Sequence, residues 1–217
     1  MAETSSVLTR TLLVGVVLLF GLLGVAVMLM AAEMRTPQHP LPVISQVADF
    51  TLTNQEGQVT TLADLTNHVW IADIIFTRCA GPCPRMTGQM KSVEDMLPKD
   101  SDVKLVTLTT DPDNDSPTIL KRYGEHFGAD FSRWMFLTGT KTEIADLAAN
   151  SLKMSATSVT TSDQKDAADL FIHTTLFEVV DKHARFRAFF ETGGEDVDWN
   201  KIQPKLLATV RRLEREP

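Results

Sequence analysis

The chain has 217 residues, 43% of them hydrophobic, which is enough for one medium-sized domain with its own core but short for two. Its 21 basic and 28 acidic residues give a formal net charge of −7. This charge argues against nucleic-acid binding, because that activity normally needs a basic surface.

An uncharged, proline-free apolar stretch covers residues 11–32. A helix of about 20 apolar residues can cross a bilayer, and the stretch is longer than the apolar region of a signal peptide, about 7 to 15 residues. It also lacks a good A-x-A-like cleavage site. We therefore predict an amino-terminal tail over 1–10, a single transmembrane anchor over 11–32, a proline-containing linker over 33–46 and a folded domain over 47–217.

Beyond the linker, short apolar runs alternate with helical patterns. Strands are predicted at 50–53, 58–60, 69–76, 103–109, 134–137, 176–180 and 185–190. Helices are predicted at 84–96, 117–128, 140–150 and around 202–213. The signals include Ser116 followed by Pro117 at one helix start, and a capping box of Thr140 and Glu143 at the next. This order predicts an α/β domain of thioredoxin type, a central mixed sheet flanked by helices.

A polar segment over 151–169 separates the third predicted helix from the closing hairpin. A loop of this length inside a compact domain is expected to be functional or mobile.

The chain has two cysteines, Cys79 and Cys83, placed between a predicted strand and a predicted helix. Because free N–H groups and the helix dipole stabilise thiolates, we expect both thiols to have a lowered pKa and to be accessible. The spacing allows the sulfurs to bind one soft metal ion or to form a small disulfide. A disulfide closing so short a loop stabilises little, and structural zinc needs four nitrogen or sulfur ligands.

Three motifs occur in order along the chain: FTRCAGPCP over 76–84, TDPDNDSP over 110–117, and HTTLF over 173–177. Together they resemble the SCO/SenC family of copper-binding, thioredoxin-fold proteins, and the resemblance extends over about 47–213. It implies that Cys79 and Cys83 are thiolate ligands and that His173 is the imidazole ligand of one copper ion per chain, Cu(I) or Cu(II).

The resemblance also implies a function and a place in the cell. We expect a membrane-anchored copper chaperone rather than an enzyme, delivering copper to the dinuclear copper site of cytochrome c oxidase. The partner would be the copper-bearing subunit of that oxidase or another copper or thiol protein. The alternative is a thiol-disulfide oxidoreductase or redox sensor that uses the same cysteine pair. The protein is expected to cross the inner (cytoplasmic) membrane once, with its soluble domain in the periplasm.

Other side chains near these motifs have simpler interpretations. Asp111 and Asp115 follow a predicted strand and could face a metal, but capping of the next helix explains them better. Met86 and Met90 lie one helical turn apart and are predicted to fill the core.

Overall fold

The computed structural model describes residues 13, 15–28, 40–153, 175–194 and 197–216. The chain divides into two compact units, Met1–Pro40 and Leu41–Pro217. In the first unit residues 13 and 15–28 are helical, and their apolar side chains are exposed. Among the described residues, no helix combines the length and the apolar character that a membrane span requires. The anchor over 11–32 and the domain boundaries stay predictions.

The second unit contains a mixed sheet with helices packed on it. The strands are β1 (Ser45–Gln46), β2 (Thr51–Asn54), β3 (Val59–Thr61), β4 (Trp70–Ile75), β5 (Lys104–Thr109), β6 (Trp134–Thr138), β7 (Leu176–Val180) and β8 (Arg185–Glu191). The α-helices are α1 (Pro82–Met96), α2 (Pro117–Phe127), α3 (Lys141–Ala145) and α4 (Trp199–Arg215). A 3₁₀ turn spans Leu62–Asp64, and a π-helical turn, Asp146–Ser151, continues α3.

The strand order is β1-β8-β7-β4-β5-β6-β2-β3. The central strands β4, β5 and β6 are parallel, and the remaining neighbours are antiparallel. Every residue of β4 is buried, as expected for a parallel strand covered on both faces. The prediction of an α/β domain with a central mixed sheet is confirmed.

Each face of the sheet carries its own apolar core. On one face α1 and α4 contribute Met86, Met90 and Leu206, which pack with Ile71 and Phe177 of the sheet. The prediction that both methionines fill the core is confirmed, since they are 1% and 0% exposed. The other face holds a second cluster, to which α3 and the π-helical turn contribute Ile144, Leu147 and Ala148.

Local capping signals determine several helix ends. Helix α2 begins at Pro117 after Ser116 and ends at Gly128, whose φ of 71° is easily adopted by glycine. At α3, Glu143 accepts from the Thr140 N–H at 2.8 Å, and Thr140 accepts from the Glu143 N–H at 3.2 Å. The predicted capping box is therefore confirmed.

Strand β1 was not predicted and lies inside the predicted linker over 33–46. It pairs with β8 at Ser45 opposite Phe186. A two-residue strand has no side-chain period, so only its partner reveals it. Of the polar segment over 151–169, residues 154–169 lie outside the described residues.

Candidate functional site

The cysteine pair lies where the chain leaves the carboxyl end of β4 and enters α1. The loop over 76–81 is compact, because the Cys79 N–H donates to the Phe76 carbonyl at 3.2 Å. The Gly81 N–H donates to Cys79 Sγ at 3.4 Å. Pro82 then begins the helix, where its missing N–H costs no hydrogen bond. Cys79 therefore belongs to the loop and Cys83 to the first turn of α1.

Both thiols are free and buried, with exposed fractions of 9% for Cys79 and 4% for Cys83. They form a small cluster with Ile75, and the half-buried rings of Phe76 and Tyr123 pack against it. The expectation that both sulfurs are accessible is therefore wrong. Aromatic side chains contributed by the loop and by α2 cover them, and sequence spacing does not show this.

The two thiols differ in acidity. Burial opposes ionisation of Cys79, but hydrogen bonds from the Cys83 N–H, the Cys83 side chain and the Gly81 N–H outweigh it and lower the pKa of Cys79. Deeper burial, reinforced by the neighbouring Cys79 and Asp73, raises the pKa of Cys83 to about 12. The expectation of a lowered pKa is confirmed for Cys79 and wrong for Cys83. The pair thus combines a sulfur prepared to ionise with one that keeps its proton until a ligand displaces it.

The motif over 110–117 does not cap α2 with its carboxylates, so the capping interpretation is wrong. The N-cap of α2 is Ser116, which makes no side-chain capping bond. Asp111 accepts from Arg78 Nη2 at 2.7 Å and from Asn114 Nδ2 at 2.8 Å. Asp115 instead accepts from Thr77, in the cysteine loop, and from Thr109 at the end of β5. Neither carboxylate faces α2: Asp111 bonds to the cysteine loop and within its own motif, and Asp115 bonds to the cysteine loop and to the end of β5.

A further contact, which the sequence did not predict, holds Cys83 in the first turn of α1. Thr87 donates its hydroxyl to the Cys83 carbonyl at 3.0 Å and lies 2.8 Å from the Tyr123 hydroxyl. Because a threonine hydroxyl has one hydrogen, Tyr123 must be the donor in the second bond. These two hydrogen bonds link α2 to the turn that carries Cys83. Thr87 follows Cys83 by one helical turn, a spacing visible in the sequence, but nothing local indicates Tyr123.

His173, the third predicted ligand, lies outside the described residues. Within 40–153, 175–194 and 197–216, no group of three Cys, His, Asp or Glu side chains is arranged to hold a metal ion. The described part of the chain therefore contributes two adjacent sulfurs, a donor set that suits a soft ion such as Cu(I).

Both the sequence and the fold of this chain are similar to those of known proteins. The sequence model of the SCO1/SenC family matches residues 41–205. The SCO1 protein homolog of Bacillus subtilis is 34% identical over 141 residues, which are 64% of this chain and 70% of that protein. The solved structure of BsSco, described as a member of the Sco family of cytochrome c oxidase assembly proteins, has a TM-score of 0.65 and 27% identity. The superposition covers 82% of this chain and 100% of BsSco.

A further structure, Bradyrhizobium japonicum ScoI with copper bound, shares the fold. Its TM-score is 0.60 at 24% identity, over 78% of this chain and 99% of ScoI. The fold of the second unit is therefore that of the solved Sco structures.

Proposed function

Because the chain belongs to the SCO1/SenC family, we propose that it binds copper and delivers it to the dinuclear copper site of cytochrome c oxidase during assembly of that enzyme. The observation that carries the proposal is the pair of free, hydrogen-bonded thiols at the carboxyl end of β4. The description of BsSco as belonging to a family of cytochrome c oxidase assembly proteins supports it. No reaction is required, so the protein acts as a chaperone rather than an enzyme.

Cys79, Cys83 and His173 are the proposed ligands of one copper ion per chain. Two thiolates favour Cu(I), and an added imidazole lets the same set hold Cu(II). Cys79 is the first sulfur to ionise, whereas Cys83 must lose its proton as the metal binds. Copper loading should therefore release protons and weaken as the pH falls.

We also propose that residues 11–32 anchor the chain in the inner (cytoplasmic) membrane and that the domain faces the periplasm. The uncharged run of 22 residues supports the anchor. The close thiol pair supports the compartment, since a disulfide between the two sulfurs would persist in the oxidising periplasm and is rare in the cytosol.

Metal analysis of the reduced full-length protein tests the copper proposal. The wild type should hold one copper ion per chain, and Cys79→Ser and Cys83→Ser should each lose tight Cu(I) binding. Met96→Leu is the control, because it alters an exposed sulfur at the opposite end of α1 and should change nothing. Full Cu(I) affinity in both serine variants would contradict the proposal.

The role of His173 has its own test. Because Cu(II) prefers more ligands than Cu(I), His173→Ala should weaken the thiolate-to-Cu(II) charge-transfer band before it affects Cu(I) affinity. An unchanged spectrum in this variant would remove His173 from the ligand set.

A second candidate function, thiol-disulfide exchange, is favoured by the unequal acidity of the two thiols. The Cys79 thiolate would attack a partner disulfide, forming a mixed disulfide and releasing one partner sulfur. Cys83 would then lose its proton and attack Cys79 Sγ, which releases the second partner sulfur and leaves a Cys79–Cys83 disulfide. The partner gains two electrons and two protons, and the pair loses them.

Trapping distinguishes this exchange from copper transfer. If exchange operates, Cys83→Ser should accumulate a mixed disulfide through Cys79 when a disulfide-containing partner is supplied. Cys79→Ser should not trap the partner. Equal trapping by both variants, or by neither, would contradict the assignment of Cys79 as the attacking sulfur.

A further inference from the structure

The carboxylate of Asp115 is a fully buried group for which neither proposed function has a use. It accepts hydrogen bonds from the Thr77 N–H at 3.1 Å, from the Thr77 hydroxyl and from the Thr109 hydroxyl at 2.5 Å. In the part of the chain that the structure describes, none of its partners is a cation. Burying a carboxylate without a cation is costly unless several donors hold it.

These donors come from the ends of two neighbouring parallel strands. Thr77 lies two residues beyond β4 and two residues before Cys79. Thr109 ends β5, and its register partner is Ile75, the last residue of β4. The Asp115 carboxylate therefore bridges the points where the two strands end.

The segment that carries Asp115 is itself held in place. The Asp115 N–H donates to the Asp111 carbonyl at 2.8 Å. The Asp111 N–H donates to the Thr109 hydroxyl at 3.0 Å. The hydroxyl of Thr109 thus donates to one aspartate and accepts from the other, which closes a ring of hydrogen bonds around the end of β5.

A carboxylate is the group that suits this position. Oδ1 accepts from the Thr77 hydroxyl, while Oδ2 accepts from both the Thr77 N–H and the Thr109 hydroxyl. Asparagine would replace one of these oxygens by an NH₂ donor, so at least one of the three bonds would be lost.

The two cysteines depend differently on this anchor. Cys83 lies in α1, which is packed into the core through Met86 and Met90. Cys79 has only local hydrogen bonds: its N–H donates to Phe76, and its sulfur accepts from the Gly81 N–H and from the N–H and side chain of Cys83 at the start of α1. The loop is joined to the segment after β5 by the Arg78–Asp111 ion pair, whose arginine is 65% exposed, and by the buried contact of Thr77 with Asp115. The buried contact is the stronger restraint, because an exposed ion pair contributes little.

We propose that Asp115 is a positioning residue for copper binding: its carboxylate anchors Thr77 to the end of β5 and so determines where Cys79 lies relative to Cys83. The inference rests on the proposed copper function, because it requires both sulfurs to bind one ion.

Competition with a Cu(I)-selective chelator, carried out on the reduced full-length protein, tests the inference. Asp115→Asn should weaken Cu(I) binding by about tenfold, the lower end of the effect of changing groups that orient metal ligands. Thr77→Val should weaken it in the same direction, and the double variant should bind no more weakly than Asp115→Asn alone. Asp181→Asn is the matched control, because it alters another buried aspartate that contacts neither Thr77 nor Thr109.

Amide hydrogen exchange of the metal-free protein provides a readout independent of copper. In Asp115→Asn, exchange at 76–81 should accelerate, while exchange in β4 should match the wild type. In the control variant Asp181→Asn, exchange at 76–81 should also match the wild type. If Asp115→Asn does not fold, Thr77→Val and Thr109→Val supply the same measurements.

Four results would overturn the inference. Unchanged exchange at 76–81 would show that Asp115 does not hold the loop. Faster exchange with unchanged copper affinity, or an affinity loss equal to that of Asp181→Asn, would show that the contact only stabilises the fold. Full Cu(I) affinity in both Cys79→Ser and Cys83→Ser would instead refute the proposed copper function, and the inference with it, whatever the exchange data show.

Discussion

Two buried aspartates at different loops of the domain have carboxylates that are stabilised in different ways. Asp181, in the turn between β7 and β8, accepts from Arg187 Nη1 at 2.5 Å and from Arg185 Nε at 2.8 Å. Asp115, beside the cysteine loop, is held by hydroxyl and N–H donors. Cations neutralise the first carboxylate, whereas hydrogen bonds alone hold the second.

The Asp181 site joins distant parts of the chain. Arg187 also donates to the Leu41 carbonyl at 2.6 Å, to the Pro42 carbonyl at 3.1 Å and to Glu216 Oε2 at 2.8 Å. It thereby connects the start of the second unit, the hairpin and the end of α4. Beside the cysteine loop, neutral donors hold the Asp115 carboxylate, while the cation of the loop, Arg78, pairs with Asp111 instead. The comparison indicates that the hairpin end serves stability and the cysteine end serves the geometry of the thiols.

The largest expected effect is at the cation of the Asp181 site. Arg187→Met removes the buried cation beside Asp181, which keeps only its bonds from Arg185 and from the His183 N–H, and leaves two backbone carbonyls without this donor. It should lower the free energy of unfolding by about 3 kcal/mol. Urea denaturation of the reduced protein measures this. Arg185→Met is the control, since its side chain is 33% exposed and its loss should cost about 1 kcal/mol. Equal losses in the two variants would refute the special role of Arg187.

A third carboxylate, Glu178 in β7, extends the comparison to a group that has neither cation nor full hydrogen bonding. Its Oε2 has no partner among the described residues, and burial raises the pKa of Glu178 to about 9. The unfolded chain ionises near its ordinary pKa, about 4.3, so this residue reduces stability as the pH rises from there toward the folded value.

Glu178→Gln removes that ionisation. Between pH 5 and 6.5 the wild type should lose about 2 kcal/mol of stability relative to this variant, measured by urea denaturation at each pH. Glu191→Gln, an exposed glutamate of β8, should leave the pH dependence unchanged. Parallel profiles for the wild type and Glu178→Gln would show that Glu178 does not stay protonated in the folded state.

Asp181 should have the opposite pH dependence. Burial opposes ionisation, but the hydrogen bonds from Arg187 and Arg185 outweigh it and lower the pKa of Asp181. The stability it contributes is complete above the unfolded pKa, about 3.9, and is lost as the pH falls through the lower folded value. Below pH 4 the wild type should therefore lose more stability than Arg187→Met, and equal acid sensitivity would contradict this sign.

The smallest expected effect is at the end of β5. Thr109→Val removes a hydroxyl that serves both Asp115 and the Asp111 N–H, and it should cost about 1 kcal/mol. Thr138→Val, at the end of β6, is the control, because the Thr138 hydroxyl makes no hydrogen bond within the described residues. A loss at Thr109 no larger than at Thr138 would mean that the Asp115 contacts contribute little to stability.

Local patterns in the sequence determined most of the fold and the place of the site. The apolar run of β4, the Ser116-Pro117 start of α2 and the Thr140–Glu143 capping box are interactions within a few residues, so spacing reveals them. For the same reason the sequence alone places the cysteine pair between a strand and a helix.

Only the tertiary structure decided which groups meet. Asp115 lies 38 residues from Thr77 and 6 from Thr109, and no periodicity distinguishes this contact from a helix cap. Hydrogen bonds from within the motif lower the pKa of Cys79, whereas burial and the nearby Asp73 of β4 raise that of Cys83. Burial and the approach of Asp73 are decided by packing, so two cysteines in one motif acquire opposite pKa shifts. Local sequence specifies backbone conformation and capping, whereas burial and long-range hydrogen bonds exist only after the strands have paired.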